Sequence, residues 1–140
     1  MRDIDEVTGA IVDVAYQIHT ELGPGLLESV YEAILAQRLV RLGLTVERQK
    51  AVPIQFDGLT FDEGFRIDLL VDGRVVVELK SAESLAPVHA KQVLTYLRLM
   101  NLRVGLLVNF GAPELSEGLR RIVNSYSPTP RSSLRINRPG

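Results

Sequence analysis

The sequence holds no cysteine and no tryptophan, and only four phenylalanines and four tyrosines. Without thiols, a disulfide scaffold, a thiolate zinc site and a cysteine nucleophile are all excluded. Long hydrophobic runs are missing too. The longest stretch free of charged residues, Val104 to Pro113, is far short of the roughly 20 apolar residues a membrane helix needs. Neither a Gly-x-Gly-x-x-Gly fingerprint nor a Walker phosphate loop is present, so nucleotide binding has no support. There is no internal repeat. Nor is there an excess of one charge: 16 Lys/Arg stand against 17 Asp/Glu, which gives no bulk attraction to nucleic acid. Near the start, Asp3, Asp5 and Glu6 occupy the place where a secretory signal carries basic residues. These absences lead us to expect a cytoplasmic protein of a reducing compartment, with no membrane partner.

What is present suits an ordinary globular chain. Hydrophobic residues at 46% and charged residues at 24% argue against a mostly disordered polymer. A length of 140 residues makes one domain the expectation. The charges are unevenly spread: residues 1–70 carry six Lys/Arg against twelve Asp/Glu, and residues 71–140 carry ten against five. Such a split fits either solvated faces or a polyanion lying along one face of the C-terminal half.

Ile4, Val7, Ile11, Val14, Ile18 and Leu22 recur at helical steps, with Asp3 or Asp5 placed to cap the start and Gly23-Pro24-Gly25 to end the run. A second helical pattern spans about Leu26 to Leu42, with Leu27, Val30, Tyr31, Ile34 and Leu35 on one side and Gly43 at its end. The period then shifts toward two. Leu44 to Phe56 reads as a strand with Pro53 at an edge or strand end, followed by an Asp57-Gly58 turn. Further strands are predicted over Phe65–Val71 and Arg74–Lys80, joined around Asp72-Gly73. Pro87 opens a helix to Asn101 with Val93, Leu94, Leu97 and Met100 as its stripe, and Arg103–Phe110 reads as a buried strand. Residues 114–126 fit a short helix or a return strand. From Ser127 the chain turns to Pro, Ser and Arg, and a disordered tail over 127–140 is expected. Its Arg131, Arg135 and Arg138 either trail along a phosphate backbone or belong to an unstructured end. The domain is therefore residues 1–126, of α/β (α+β) class, a sheet with helices packed on it.

Two apolar runs hold embedded charges: Arg66-Ile67-Asp68-Leu69-Leu70-Val71 and Val75-Val76-Val77-Glu78-Leu79-Lys80. Strand side chains alternate faces, so Glu78 and Lys80 share one face. Alone, such a pair is an ordinary solvated feature. Asp68 joins them only if the loop between the strands has an odd number of residues. A three-residue loop at Asp72-Gly73 sets Asp68 across from or diagonal to Glu78, whereas a two-residue turn sends it to the opposite face. Two neighbouring carboxylates repel, and a cation commonly holds such a pair. Oxygen ligands favour a hard ion such as Mg²⁺ or Mn²⁺. The expectation is that Asp68 and Glu78 chelate a divalent metal, with Lys80 beside its bound water.

Asp68 followed by Glu78-Leu79-Lys80 resembles the Asp…(Asp/Glu)-x-Lys core of the PD-(D/E)XK nuclease superfamily, with Ile67 where the superfamily's name has Pro. Gly25-Leu26-Leu27-Glu28-Ser29-Val30-Tyr31 resembles the signature of the small bacterial GxxExxY proteins assigned to that superfamily. Gln92-Val93-Leu94-Thr95-Tyr96 is similar to the Gln-x-x-x-Tyr helix of several of its nucleases, and Val104–Gly111 to the last core strand of the GxxExxY proteins. The likeness spans about residues 5–125.

The resemblance implies a restriction-endonuclease-like core, a central mixed sheet flanked by helices. It also implies a metal-dependent nuclease that cleaves phosphodiester bonds, of DNA before RNA. Asp68, Glu78 and the Leu79 carbonyl would be direct ligands of Mg²⁺ or Mn²⁺, and Glu28 would reach the metal through water. Lys80 would orient or deprotonate the attacking water, and Gln92 would steady Lys80 or the nucleophile. Such a site needs no Ser-His or Cys-His pair. Taken singly, Glu28 is also an acid favoured by a helix start, Tyr31 a core residue, and Gln92 and Tyr96 helix-surface residues. His89 and His19 read as structural. A non-catalytic module that binds nucleic acid or protein on the same fold is the alternative, and an acid–base hydrolase using Glu28 and Asp68 a third. A domain this small leaves room for a homodimer or a separate DNA-binding subunit.

Overall fold

The structure, a computed structural model, describes residues 2–125 and the backbone of a short strand, Leu134–Ile136. Helix α1 spans Ile4–Leu22, and the Asp3 carboxylate accepts the N–H of Glu6 at 2.9 Å to cap it. Val7, Ile11, Val14 and Ile18 are buried as the stripe predicts, but Leu22 is exposed. Helix α2 spans Glu28–Arg41, two residues later than the periodicity suggests. Leu27 thus precedes the helix in extended backbone. It is 73% exposed, and Val30 is exposed as well. Tyr31 and Leu35 of the predicted stripe are buried, and Leu39 extends that face. Gly43 follows α2 at φ 90°, a left-handed position that suits glycine.

Strands β1 (Val46–Phe56) and β2 (Leu59–Val71) form a long hairpin. Its turn is Asp57-Gly58, both at positive φ. Strand β2 begins six residues before the predicted Phe65. Residues 59–64 are exposed and pair only through the backbone of β1, so no burial pattern marks them in the sequence. Pro53 sits where the β1–β2 register shifts, between Val52 and Ile54. A residue without an N–H is tolerated at such a bulge.

Strand β3 (Val75–Lys80) pairs antiparallel with β2 and parallel with β4 (Val104–Asn109). Helix α3 (Pro87–Met100) makes the crossover that a parallel pair requires. It packs so closely that a Cβ at Gly105 would come within 2.8 Å of Val93. The stretch left open as helix or strand holds both: a single-turn α4 (Leu115–Gly118) and β5 (Leu119–Val123), antiparallel to β4. Three residues of the expected tail, Leu134–Ile136, form β6 on the outer edge of β1. Residues 127–133 and 137–140, with Arg131 and Arg138, lie outside the described residues.

The sheet order is β5-β4-β3-β2-β1-β6, with β3–β4 the parallel pair. This is the mixed sheet flanked by helices that the sequence leads one to expect. One apolar layer joins α1 and α2 to Leu69, Val71, Val75, Val77 and Leu79. The other joins α3 to Ile67, Leu70, Val76, Leu107 and Ile122. Among the described residues no helix is long and apolar enough to cross a membrane.

Candidate active site

Strands β2 and β3 pair at Leu69↔Val77, Leu70↔Val76 and Val71↔Val75. Residues 72–74 are therefore a three-residue loop, with Asp72 and Gly73 both left-handed. The odd loop sets position 68 against position 78. There the ladder gives way to side chains. The N–H of Asp68 donates to Oε1 of Glu78 at 3.0 Å, and Oδ2 of Asp68 accepts the N–H of Leu79 at 2.8 Å. Each carboxylate thus replaces a strand-to-strand bond at the point where β2 leaves β3. Beyond it, β3 is paired to β4 through Glu78↔Leu107, Leu79↔Val108 and Lys80↔Asn109.

A second irregularity is invisible to the parity argument. Ile67 packs in the α3 layer although Leu69 and Val71 pack in the α1–α2 layer. Residues two apart in a regular strand share a face, so the alternation breaks at Asp68. Gln49 stands opposite, between the pairs Arg48↔Leu69 and Lys50↔Ile67, and has φ 49°.

Glu78 is only 6% exposed. Burial pushes its carboxyl up to about 8, and the charge of neighbouring Asp68 adds to the rise, while the Asp68 N–H bond and then the Lys80 charge partly offset it. Half-buried Tyr96 is stacked on Phe65 with ring centroids 4.3 Å apart. Its hydroxyl is raised by burial first and then by the charges of Glu78 and Asp68. The phenol of α3 therefore lies within the field of both carboxylates.

The loop from Gly23 to Leu27 is fastened beside this fork. The hydroxyl of buried Tyr31 donates to the Gly23 carbonyl at 2.6 Å and accepts the Leu26 N–H at 3.1 Å. Ser81, the residue after Lys80, donates its hydroxyl to the Leu26 carbonyl at 2.6 Å. These bonds bring the head of α2, where Glu28 sits, to the end of β3. Buried Asn109 holds the next residue from the other side. Its Nδ2 donates to the Ala82 carbonyl and its Oδ1 accepts the Ala82 and Gly111 N–H groups, each at 3.0 Å.

Of the expected site residues, the structure brings Asp68, Glu78 and half-buried Lys80 together around Leu79. Glu28 and Gln92 are exposed, on α2 and α3, and neither bonds to the carboxylate pair. Among the described residues no group of three His, Asp or Glu side chains is gathered to hold a metal ion. Each histidine has a protein partner: His89 accepts the Ala86 N–H at the head of α3, and Nε2 of His19 meets the Ala112 carbonyl at 2.8 Å.

Residues outside the predicted set complete the surroundings. Glu32 is a buried carboxylate of α2, held by Nε and a terminal nitrogen of Arg48 at 3.1 and 3.0 Å, and by Nε2 of Gln49. Gln49 also reaches Oδ1 of Asp68 at 3.2 Å. The four-residue step from Glu28 to Glu32 is a helical-face signal that points to Glu32. Nothing local in the sequence points to Gln49.

The donor chemistry fits a hard divalent cation. An ionised carboxylate offers about four lone-pair sites, so Asp68 and Glu78 retain acceptor capacity beyond the backbone bonds described. A cation there would also relieve two carboxylates forced together with one of them buried.

A chain with this sheet and an Asp/Glu-x-Lys fork falls in the class of restriction-endonuclease-like folds. The chain belongs to the PD-(D/E)XK nuclease superfamily, which it matches over residues 5–122. No curated protein and no solved structure matches it. Membership supports a nuclease-type function, a nucleic-acid substrate and use of a divalent metal in general terms.

Proposed function

We propose that the protein is a metal-dependent nuclease hydrolysing phosphodiester bonds of nucleic acid, DNA in the first instance. One observation carries this reading: Asp68 and buried Glu78 meet at the fork between β2 and β3, with Lys80 two residues along the same strand. Asp68, Glu78 and the Leu79 carbonyl would hold Mg²⁺ or Mn²⁺, with Glu28 joining through water from the head of α2. When bound, such an ion supplies Lewis-acid polarisation of the phosphoryl oxygen and a lowered water pKa. Lys80 places a compact positive charge where the phosphorus centre gains negative charge, and orients the attacking water or takes its proton. Gln92 steadies Lys80 or the nucleophile. The Gly25…Glu28…Tyr31 spacing supports a narrower place among the GxxExxY proteins.

A second reading, a non-catalytic module binding nucleic acid or protein, is favoured by the position of Glu28, exposed and outside the carboxylate pair. Titration with Mn²⁺ separates the two. Wild type should bind the ion and Asp68→Asn should not. The wild type should also cut single-stranded, duplex or branched DNA until the ion is chelated. Equal Mn²⁺ behaviour of both proteins, with every substrate left intact, favours the binding module.

A further inference from the structure

We infer that Gln49 is a positioning residue that sets the Asp68 carboxylate for cation binding, an inference resting on the metal-site reading above. Its backbone is the first observation. At φ 49° Gln49 lies in the left-handed region, which a non-glycine residue within a strand seldom adopts. The flanking pairs Arg48↔Leu69 and Lys50↔Ile67 keep one register, so no inserted residue forces this conformation. Strain of this kind persists where the surroundings over-determine it, and it concentrates at functional sites.

What the conformation achieves is the second observation. The Gln49 carboxamide donates from Nε2 to Oε1 of Glu32 and to Oδ1 of Asp68, the latter at 3.2 Å. The main-chain carbonyl of Gln49 accepts from Arg66 at 2.9 Å. Glu32 is a fixed anchor: it is 6% exposed and gripped by two nitrogens of Arg48. Gln49 passes that fixity from α2 to Asp68, whose other oxygen is held by the Leu79 N–H. Both oxygens of Asp68 are thereby oriented from two directions. Hydrogen bonds to a ligating carboxylate fix its rotamer, and losing one typically weakens metal affinity 10–100-fold.

The test is a Mn²⁺ titration of the full chain followed by electron paramagnetic resonance, with melting of the metal-free protein alongside. Gln49→Gly accommodates the left-handed backbone and removes both side-chain bonds. It should bind Mn²⁺ roughly tenfold more weakly than wild type. In cleavage assays kcat should fall while KM for DNA stays unchanged. Gln49→Asn keeps the amide and tolerates the same backbone, but it is one methylene too short to span both carboxylates. It should show the same loss, which keeps the test valid if glycine loosens the hairpin. Wild-type Mn²⁺ affinity in either folded variant overturns the inference and leaves the Asp68–Glu78 site standing. A wild type that binds no Mn²⁺ overturns the metal site and the inference together. Loss of the fold in both variants assigns Gln49 to the scaffold and overturns its positioning role.

Discussion

The ring of Tyr31 lies flat against that of Phe110, with centroids 4.4 Å and planes 3° apart. This stack ties α2 to the end of β4, while the Tyr31 hydroxyl holds the loop between α1 and α2 at both Gly23 and Leu26. Tyr31→Phe keeps the stack and removes both hydrogen bonds. Both bonds are only part-buried, and each such hydrogen bond contributes on the order of 0.5–1.5 kcal/mol. Urea denaturation should show a lowered midpoint with an unchanged slope. A midpoint equal to wild type would mean that water replaces the hydroxyl fully.

Glu78 makes the metal-free protein lose stability as the pH rises from weakly acid to about 8. Burial and the charge of Asp68 raise its folded-state carboxyl to about 8 from the 4.5 of a free side chain. The folded state therefore holds a proton that the unfolded chain releases. This contribution to stability is complete below about pH 4.5 and fades as pH climbs through about 8. Melting midpoints in chelator should fall between about pH 5 and pH 8, and Glu78→Gln should flatten that decline. A decline of the same size in the variant would assign it to other groups.

Lys80 is proposed to act on the water and the phosphate. Removing one preorganised charge or donor from such a site costs roughly 10²–10³ in kcat. Lys80→Ala should lose activity on that scale while still binding Mn²⁺. Lys80→Arg should not restore it, because a planar guanidinium does not replace a compact ammonium. Full activity in Lys80→Ala would remove the lysine from the chemistry.

Asn109 makes three hydrogen bonds to Ala82 and Gly111 from a buried position. In Asn109→Ala the Ala82 and Gly111 groups lose these partners, a cost of about 3 kcal/mol. Thermal melting should show the loss, and amide exchange should quicken first at Ala82 and Gly111. Exchange that quickens evenly over the whole sheet would argue against a local clamp.

Much of the fold was legible beforehand because burial leaves a periodic trace. Val7, Ile11, Val14 and Ile18 of α1 follow from their spacing, and the fully buried β4 from its continuous, largely apolar run. Where burial is weak the trace fails. The exposed start of β2 is held by backbone pairing alone, and Leu27 lies outside α2 despite fitting its stripe. At the candidate site, Asp68, Glu78 and Lys80 stand out as charges inside apolar strands. Glu32 lies one turn beyond Glu28, and it is its burial that sets it apart.

By itself, the order of residues determined which charges sit inside apolar strands and that an odd loop would align positions 68 and 78. Hydrophobic spacing and turn chemistry are local properties of the chain, and they need no partner to be read. Only the tertiary structure decided that the ladder opens at Asp68, and that Gln49 adopts a left-handed backbone to join Glu32 to it. These features arise from contacts among α2, β1 and β2, brought together by burial of the two apolar layers.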